Sequence, residues 1–184
     1  RAAWKRSSRK SIEFWLDNRR AESYCTIQGH RMSDKTVKMG VVGLGKFGEQ
    51  HTKVLSQLPH VELVAVCSRS EDRCREIAKR YGVPRSYTSP EEMLKESDFD
   101  AVDIVTEVHR HAEIAQIAME NGKHVFSEIL LSQSLQETDQ LIQSAETYNR
   151  HFMVGFLERF DIRRAQIKKR IEAGDMGDLV SLYG

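Results

Sequence analysis

Gly43, Gly45 and Gly48 stand in the run VVGLGKFGEQH at the spacing G-x-G-x-x-G. The spacing alone says little, because glycine turns without a ligand are common. Its setting says more. An apolar run, VKMGVV over 37–42, precedes the glycines, and a stretch of helical spacing follows, with Phe47, Val54, Leu55 and Leu58 on one face. Strand, glycine turn and helix in that order are the context that makes this motif a dinucleotide-binding fingerprint. Gly43 permits the tight turn, Gly45 lets the backbone approach a pyrophosphate, and Gly48 lets helix and strand pack closely. The helix N-terminus then offers unpaired amides and positive dipole to the phosphates. Lys46 either adds charge near those phosphates or is a solvated surface lysine.

The group that reads the adenosine ribose should lie roughly 20 residues further on, at the end of the next strand. That strand ends VCSRS. An acidic residue there would accept from the 2′-hydroxyl of NAD and repel a 2′-phosphate. The chain instead carries Ser68, Arg69 and Ser70. The combination suits NADP, with Arg69 as a charge-assisted partner of the phosphate and the serines as donors. The alternative is NAD held through sugar contacts, with Arg69 a solvated loop arginine.

These residues need a scaffold, and the pattern around them supplies one. Short apolar runs near 37–42, 61–67, 101–105, 123–126 and 151–154, with a short one at 85–87, alternate with helical patterns near 47–57, 71–80, 90–95, 109–121 and 134–148. Such alternation predicts an α/β fold, a doubly wound parallel Rossmann sheet with helices on both faces. In the helix 109–121, Ala112, Ala115, Ile117, Ala118 and Met119 form a mostly apolar face, stopped by Asn121-Gly122. Leu135, Leu141, Ile142 and Ala145 repeat that pattern in the next helix. After Gly155 the rhythm changes. RFDIRRAQIKKRIEAGDMG reads as a basic amphipathic helix with Ile162, Ala165, Ile167 and Ile171 on its apolar side, followed by the strand-like DLVSLYG. Arg159, Arg163 and Arg164 there are candidates for phosphate or substrate contact, or simply a solvated face. The expected division is an extension over 1–31, a dinucleotide-binding Rossmann domain over 32–154, and over 155–184 the truncated start of a second α/β domain.

Three segments, GVVGLGKFGEQH, IVTEVHRHAEIAQIAMENGKHVFSE and VGFLERFDIRRAQIKKRIEAGDMGDL, occur in an order and spacing that resemble the glucose-fructose oxidoreductase / inositol dehydrogenase / rhizopine catabolism family. The resemblance runs from about Lys38 to Gly184. It implies an N-terminal Rossmann domain, a C-terminal α/β domain carrying the substrate face and often the oligomer contact, and hydride exchange between a nicotinamide cofactor and a sugar, inositol or related polyol. It also implies site residues. The family's Thr-Pro turn matches Thr106-Glu107, and its following histidine matches His111, beside the nicotinamide ribose. The family's Glu-Lys-Pro matches Glu128-Ile129-Leu130. Glu128 keeps a carboxylate suited to ribose hydroxyls, but Ile129 has neither the charge nor the donor with which the family's lysine orients the reacting hydroxyl. No catalytic residue is assigned; Glu107, His109 and His111 are the candidates to stand in for the lysine. Without the resemblance, His109 and His111 read as capping or surface residues. No metal site is expected, because His109, His111 and His124 lack acidic ligands at helical or hairpin spacing.

Composition narrows the remaining classes. The chain has 184 residues, 40% hydrophobic and 30% charged, which describes an ordinary globular protein. No apolar run approaches the ~20 residues of a membrane helix, so no membrane association is expected. Three cysteines, Cys25, Cys67 and Cys74, give neither a disulfide framework nor paired metal-ligand spacing, which fits a cytoplasmic protein. The net charge of +1 is unevenly spread. Residues 1–31 hold eight basic and three acidic side chains, and the rest of the chain 20 basic and 24 acidic. An acidic remainder gives no support to nucleic-acid binding, which wants a basic surface, so no nucleic-acid partner is expected. The first 31 residues lie ahead of Met32 and admit three readings: an adventitious upstream stretch, a basic targeting or interaction arm, or an ordered addition to the fold.

Taken together, the expectation is the NADP- or NAD-binding half of an oxidoreductase whose full-length form acts on a sugar or polyol and forms homo-oligomers through the missing domain. Two other readings stand beside it: a non-catalytic dinucleotide-sensing regulator, and an inactive gene fragment.

Overall fold

The computed structural model describes residues 36–95, 98–178 and 180–181. The extension over 1–31, with Cys25, and most of the strand-like run at 178–184 lie outside the described residues.

Among the described residues six strands form one sheet: β1 (Val37–Val42), β2 (Val61–Cys67), β3 (Arg85–Tyr87), β4 (Ala101–Ile104), β5 (His124–Ser127) and β6 (Phe152–Val154). Their spatial order is β3-β2-β1-β4-β5-β6, and every pairing is parallel. The chain works outward from β1 to one edge, then returns to β4 on the other side of β1. That reversal opens a crevice at the carboxyl ends of β1 and β4, where doubly wound sheets bind ligands.

Parallel strands covered on both faces must be apolar on both faces, and β2 is an example. From Leu63 to Cys67 every residue is buried. On one face, Val41, Leu63 and Val66 pack with Cys74 and Ile77 of α2 (Glu71–Tyr81) and with Leu55 of α1 (Lys46–Leu55). On the other, Val42, Val64, Val102 and Ile104 pack with Met93 and Leu94 of α3 (Pro90–Lys95), Ile114 and Ala118 of α4 (His111–Glu120), and Leu141 of α5 (Leu135–Thr147). Short 3-10 turns at Val108–Arg110 and Leu157–Phe160 precede α4 and α6 (Ile162–Glu172).

The helix ends follow local chemistry. Ser70 caps α2 by accepting from the Arg73 amide at 3.3 Å, and Gly82, at φ 69°, closes it in the left-handed region that suits glycine. Ser134 caps α5 by accepting from the Glu137 amide, while the Glu137 carboxylate accepts in turn from the Gln133 amide at 3.0 Å.

Two helix faces differ from those read in the sequence. In α1 the buried residues are Gly48 and Thr52, while Phe47 and Val54 stay exposed and Leu58 falls beyond the helix. The helix lies too close to β1 for large side chains to fit between them. A Cβ on Gly48 would stand 1.8 Å from the Gly43 carbonyl oxygen, and Thr52 turns its hydroxyl back onto the Gly48 carbonyl at 2.7 Å. In α5 the inward residues are Leu141 and Ser144, and Leu135 and Ile142 are exposed. Ser144 hydrogen-bonds Gln116 of α4 at 2.6 Å, a polar contact that apolar periodicity does not register. Helix α6 buries no residue.

Candidate dinucleotide cleft

The first turn of α1 begins at the glycine loop, and the loop's shape is fixed by backbone contacts. Gly43 has φ 100°, and a Cβ there would meet the Val105 carbonyl oxygen at 2.3 Å. Any side chain would therefore drive the loop off the end of β4. Gly48 is barred by the Gly43 carbonyl. Gly45 differs, because none of the described residues lies within 4 Å of where its Cβ would be. Packing requires the first and third glycines. The second leaves a clear approach to the backbone just where the helix begins, with Gly45 as the N-cap and no side chain capping its amides. Free amides and the positive end of the helix dipole together suit an anion.

A side chain from the neighbouring helix holds the loop from behind. Arg73 of α2 donates through Nε to the Leu44 carbonyl at 3.0 Å and through Nη2 to Glu49 of α1 at 2.5 Å. Arg80 and Tyr81 also reach Glu49. The Arg73 hydrogen bond, more than any other contact, keeps the Glu49 carboxyl below its ordinary range.

The loop opens onto a cleft of about 470 Å³. Gly43, Gly45, Lys46, Phe47 and Gly48 line it from the β1–α1 side, Ser68 and Arg69 from the end of β2, and Thr106 and Glu107 from the end of β4. Across its mouth Arg69 Nη2 donates to Glu107 Oε1 at 2.5 Å. Its own backbone amide, and after it Arg69, keep the Glu107 carboxyl below its ordinary range.

The other two candidates do not line this cleft. His111 is buried, and its ring spans two carbonyls, that of Leu130 from Nδ1 at 2.7 Å and that of Thr106 from Nε2 at 2.9 Å. It ties the turn after β4 to the loop after β5. Glu128 is buried too. Its Oε2 accepts from the Ile129 amide at 3.2 Å, and its Oε1 has no hydrogen-bond partner among the described residues. The side chains that follow, Ile129 and Leu130, are exposed and apolar.

Beside Glu128 the structure assembles a cluster that the sequence did not disclose. His51 of α1 meets Asp103 of β4 at 2.8 Å through Nδ1 and faces Glu128 at 3.5 Å through Nε2. Phe47 packs edge-on against the His51 ring, with centroids 4.6 Å apart. The hydrogen bond to Asp103 raises the His51 pKa, and burial raises that of Asp103. The signal available was Asp103 itself, a carboxylate inside the apolar run AVDIV, since a buried charge demands a partner.

The remaining chemistry-bearing groups are inert or remote. Burial pushes the Cys67 thiol up to about 12 and raises that of Cys74, so neither is a ready nucleophile. A second cavity, about 550 Å³ between α4 and α5, is lined by groups such as Glu113, Gln116, Glu137 and Tyr148 and lies away from the glycine loop. Among the described residues no group of three or more His, Cys, Asp or Glu is arranged to hold a metal ion, and no helix is long and apolar enough to cross a membrane.

Comparison with known proteins bears on this cleft directly. Residues 37–156 match the family model described as "Oxidoreductase family, NAD-binding Rossmann fold". The scyllo-inositol 2-dehydrogenase (NAD(+)) of Bacillus subtilis is 34% identical over 149 residues, covering 80% of this chain and 44% of its own. The myo-inositol 2-dehydrogenase of Thermotoga maritima is 31% identical over 141 residues, covering 77% of this chain and 42% of its own. Among solved structures, the scyllo-inositol dehydrogenase of Lactobacillus casei with bound NAD(H) and scyllo-inositol superposes with a TM-score of 0.75 at 31% identity, over 78% of this chain and 43% of that one. The chain thus spans less than half the length of each of these relatives.

Proposed function

The chain belongs to the oxidoreductase family with the NAD-binding Rossmann fold, and from that premise we propose that it is the dinucleotide-binding half of an enzyme that moves hydride between NADP and a hydroxyl or carbonyl of a sugar, inositol or similar polyol. One observation carries the reading. Gly43 and Gly48 are closed to side chains by the protein itself, whereas Gly45 faces open space at a helix N-terminus, a cradle shaped for a pyrophosphate. The preference for NADP rests on the rim, where Ser68, Arg69 and Ser70 follow β2 without an acidic residue among them and Arg69 lines the cleft beside Ser68. The nicotinamide ring, when bound, supplies the hydride chemistry. The chain's residues bind and orient it: the glycine loop takes the phosphates and Ser68 and Arg69 the adenosine ribose with its 2′-phosphate, while Glu128, outside the lining of that cleft, offers the nicotinamide ribose an Oε1 with no hydrogen-bond partner among the described residues. His111 holds the two loops in register.

In this reading residues 32–154 are the binding domain and 155–184 begin the substrate domain. The exposed α6 is compatible with that division: it buries no residue and leaves Ile162 and Ile167 exposed, although its isoleucines are spread around the helix and do not form the single apolar face expected from the sequence. Homo-oligomers would form through the remainder of that second domain.

Fluorescence titration with NADPH and NADH tests the reading. Saturable binding of both, tighter for NADPH, is expected, with Arg69→Ala weakening NADPH about ten-fold, as the loss of a charge-assisted contact should. Absence of binding to either would refute it. A second reading, a dinucleotide-sensing regulator without turnover, is favoured by Ile129 and Leu130, whose exposed apolar side chains have no proton to move. A form spanning the relatives' full length separates the two: NADP-dependent oxidation of myo- or scyllo-inositol supports the enzyme, and binding without turnover the regulator.

A further inference from the structure

Arg69 and Glu107 leave the ends of β2 and β4, the two strands that flank β1, so their side chains approach the mouth of the cleft from opposite sides. They meet over it at 2.5 Å, both still solvent-accessible, with side chains 76% and 51% exposed. Three neighbouring polar groups already have contacts of their own, though each serine hydroxyl can still donate. The Ser70 hydroxyl oxygen caps α2, the Ser68 hydroxyl oxygen accepts from the Ser70 amide at 3.4 Å, and Arg110 lies 3.7 Å from both Glu91 and Glu113. Arg69, which follows β2 directly, is a cation that a phosphate arriving at the end of that strand would meet, and its guanidinium already holds a carboxylate.

We propose that Glu107 is a specificity-determining residue, a built-in counter-ion that competes with a 2′-phosphate for Arg69 and so holds down the preference for NADP that Arg69 confers. The proposal rests on the reading of the cleft as a nicotinamide-dinucleotide site. A 2′-phosphate must displace the Glu107 carboxylate from the guanidinium and then sit near a like charge. The 2′-hydroxyl of NAD needs no guanidinium and bears no charge. The cost of the pair thus falls on one cofactor, and discrimination is the difference between the two affinities.

The test is a titration of NADPH and of NADH into wild type, Glu107→Gln and Arg69→Ala at one fixed, low ionic strength, where exposed charges are least screened. Glutamine keeps the shape and removes the charge. The affinity for NADPH relative to NADH should rise about two- to five-fold in Glu107→Gln, the range an exposed ion pair is worth. It should fall in Arg69→Ala. If NADH binds and the ratio in Glu107→Gln is unmoved or lower, the counter-ion proposal is overturned and the dinucleotide reading stands. Equal tightening of both cofactors also overturns it, because the pair would then merely obstruct the cleft. If neither cofactor binds any of the three proteins, both readings fall together.

Discussion

Asp103 carries a carboxylate into a strand whose next residue, Ile104, is fully buried, and it answers the cost of burial with the imidazole of His51. The groups facing that ring are Asp103, Glu128, Phe47 and Phe126. Among the described residues two acids and no other base surround it, so the folded protein holds the His51 proton more tightly than the unfolded chain does. A raised histidine pKa stabilises the fold fully below the ordinary value of 6.5, and the contribution is lost as pH rises through the folded value. Asp103, raised above 3.8, has the same sign at the acid end, since the native state again holds the extra proton. His124, whose pKa burial lowers, acts with the opposite sign in the same window, so the contribution of His51 is read as a difference. At pH 6 His51→Gln should be less stable than wild type by about 1.5–3 kcal/mol, the worth of a hydrogen bond to a charged group, and the gap in thermal melts should narrow from pH 6.5 upward. A gap that does not change with pH across this range would show that His51 folds in neutral.

At the scale of the element, the glycine loop and α1 separate two demands that sequence reading merges. Gly45→Ala introduces a methyl group that meets nothing, at an N-cap whose φ of −66° alanine accepts, so its stability cost should stay within about 1 kcal/mol while NADPH and NADH binding is lost. Gly48→Ala forces a methyl group into the Gly43 carbonyl. It should destabilise the fold toward the upper end of roughly 1–3 kcal/mol or beyond, the range of overpacked sites, and urea titration of the two variants distinguishes them. The strands were legible because each is a short apolar run bounded by turn residues, and the three glycines because their motif is local. The inward face of α1 was not, since the close approach that selects Gly48 and Thr52 over Phe47 and Val54 is a distance between elements. Nor was the pairing of His51 with Asp103, residues 52 apart in the chain whose meeting depends on the reversal from β3 to β4. Arg69 was read as a phosphate ligand, and its carboxylate partner became visible only once the ends of β2 and β4 were placed on either side of β1.

Across the whole molecule, one sheet carries two cores, and its strands belong to both. Ile77 lies in the core beneath α2 and Ile114 in the core beneath α4, each fully buried. Ile77→Ala and Ile114→Ala should each cost about 2–5 kcal/mol, lowering Tm by roughly 4–20 °C. Because β1 and β2 supply side chains to both cores, the two substitutions should shift one common transition, and calorimetry resolving two separate transitions would contradict that shared framework. The cleft sits at one end of this frame, and of its three glycines the second is the one that packing does not hold. None of the described residues touches the position where Gly45 would bear a side chain, so a screen that ranks variants by expression or melting temperature is blind there. It would pass, as healthy protein, the one-methyl change that empties the molecule of its use, and only a ligand added to the assay would tell the two apart.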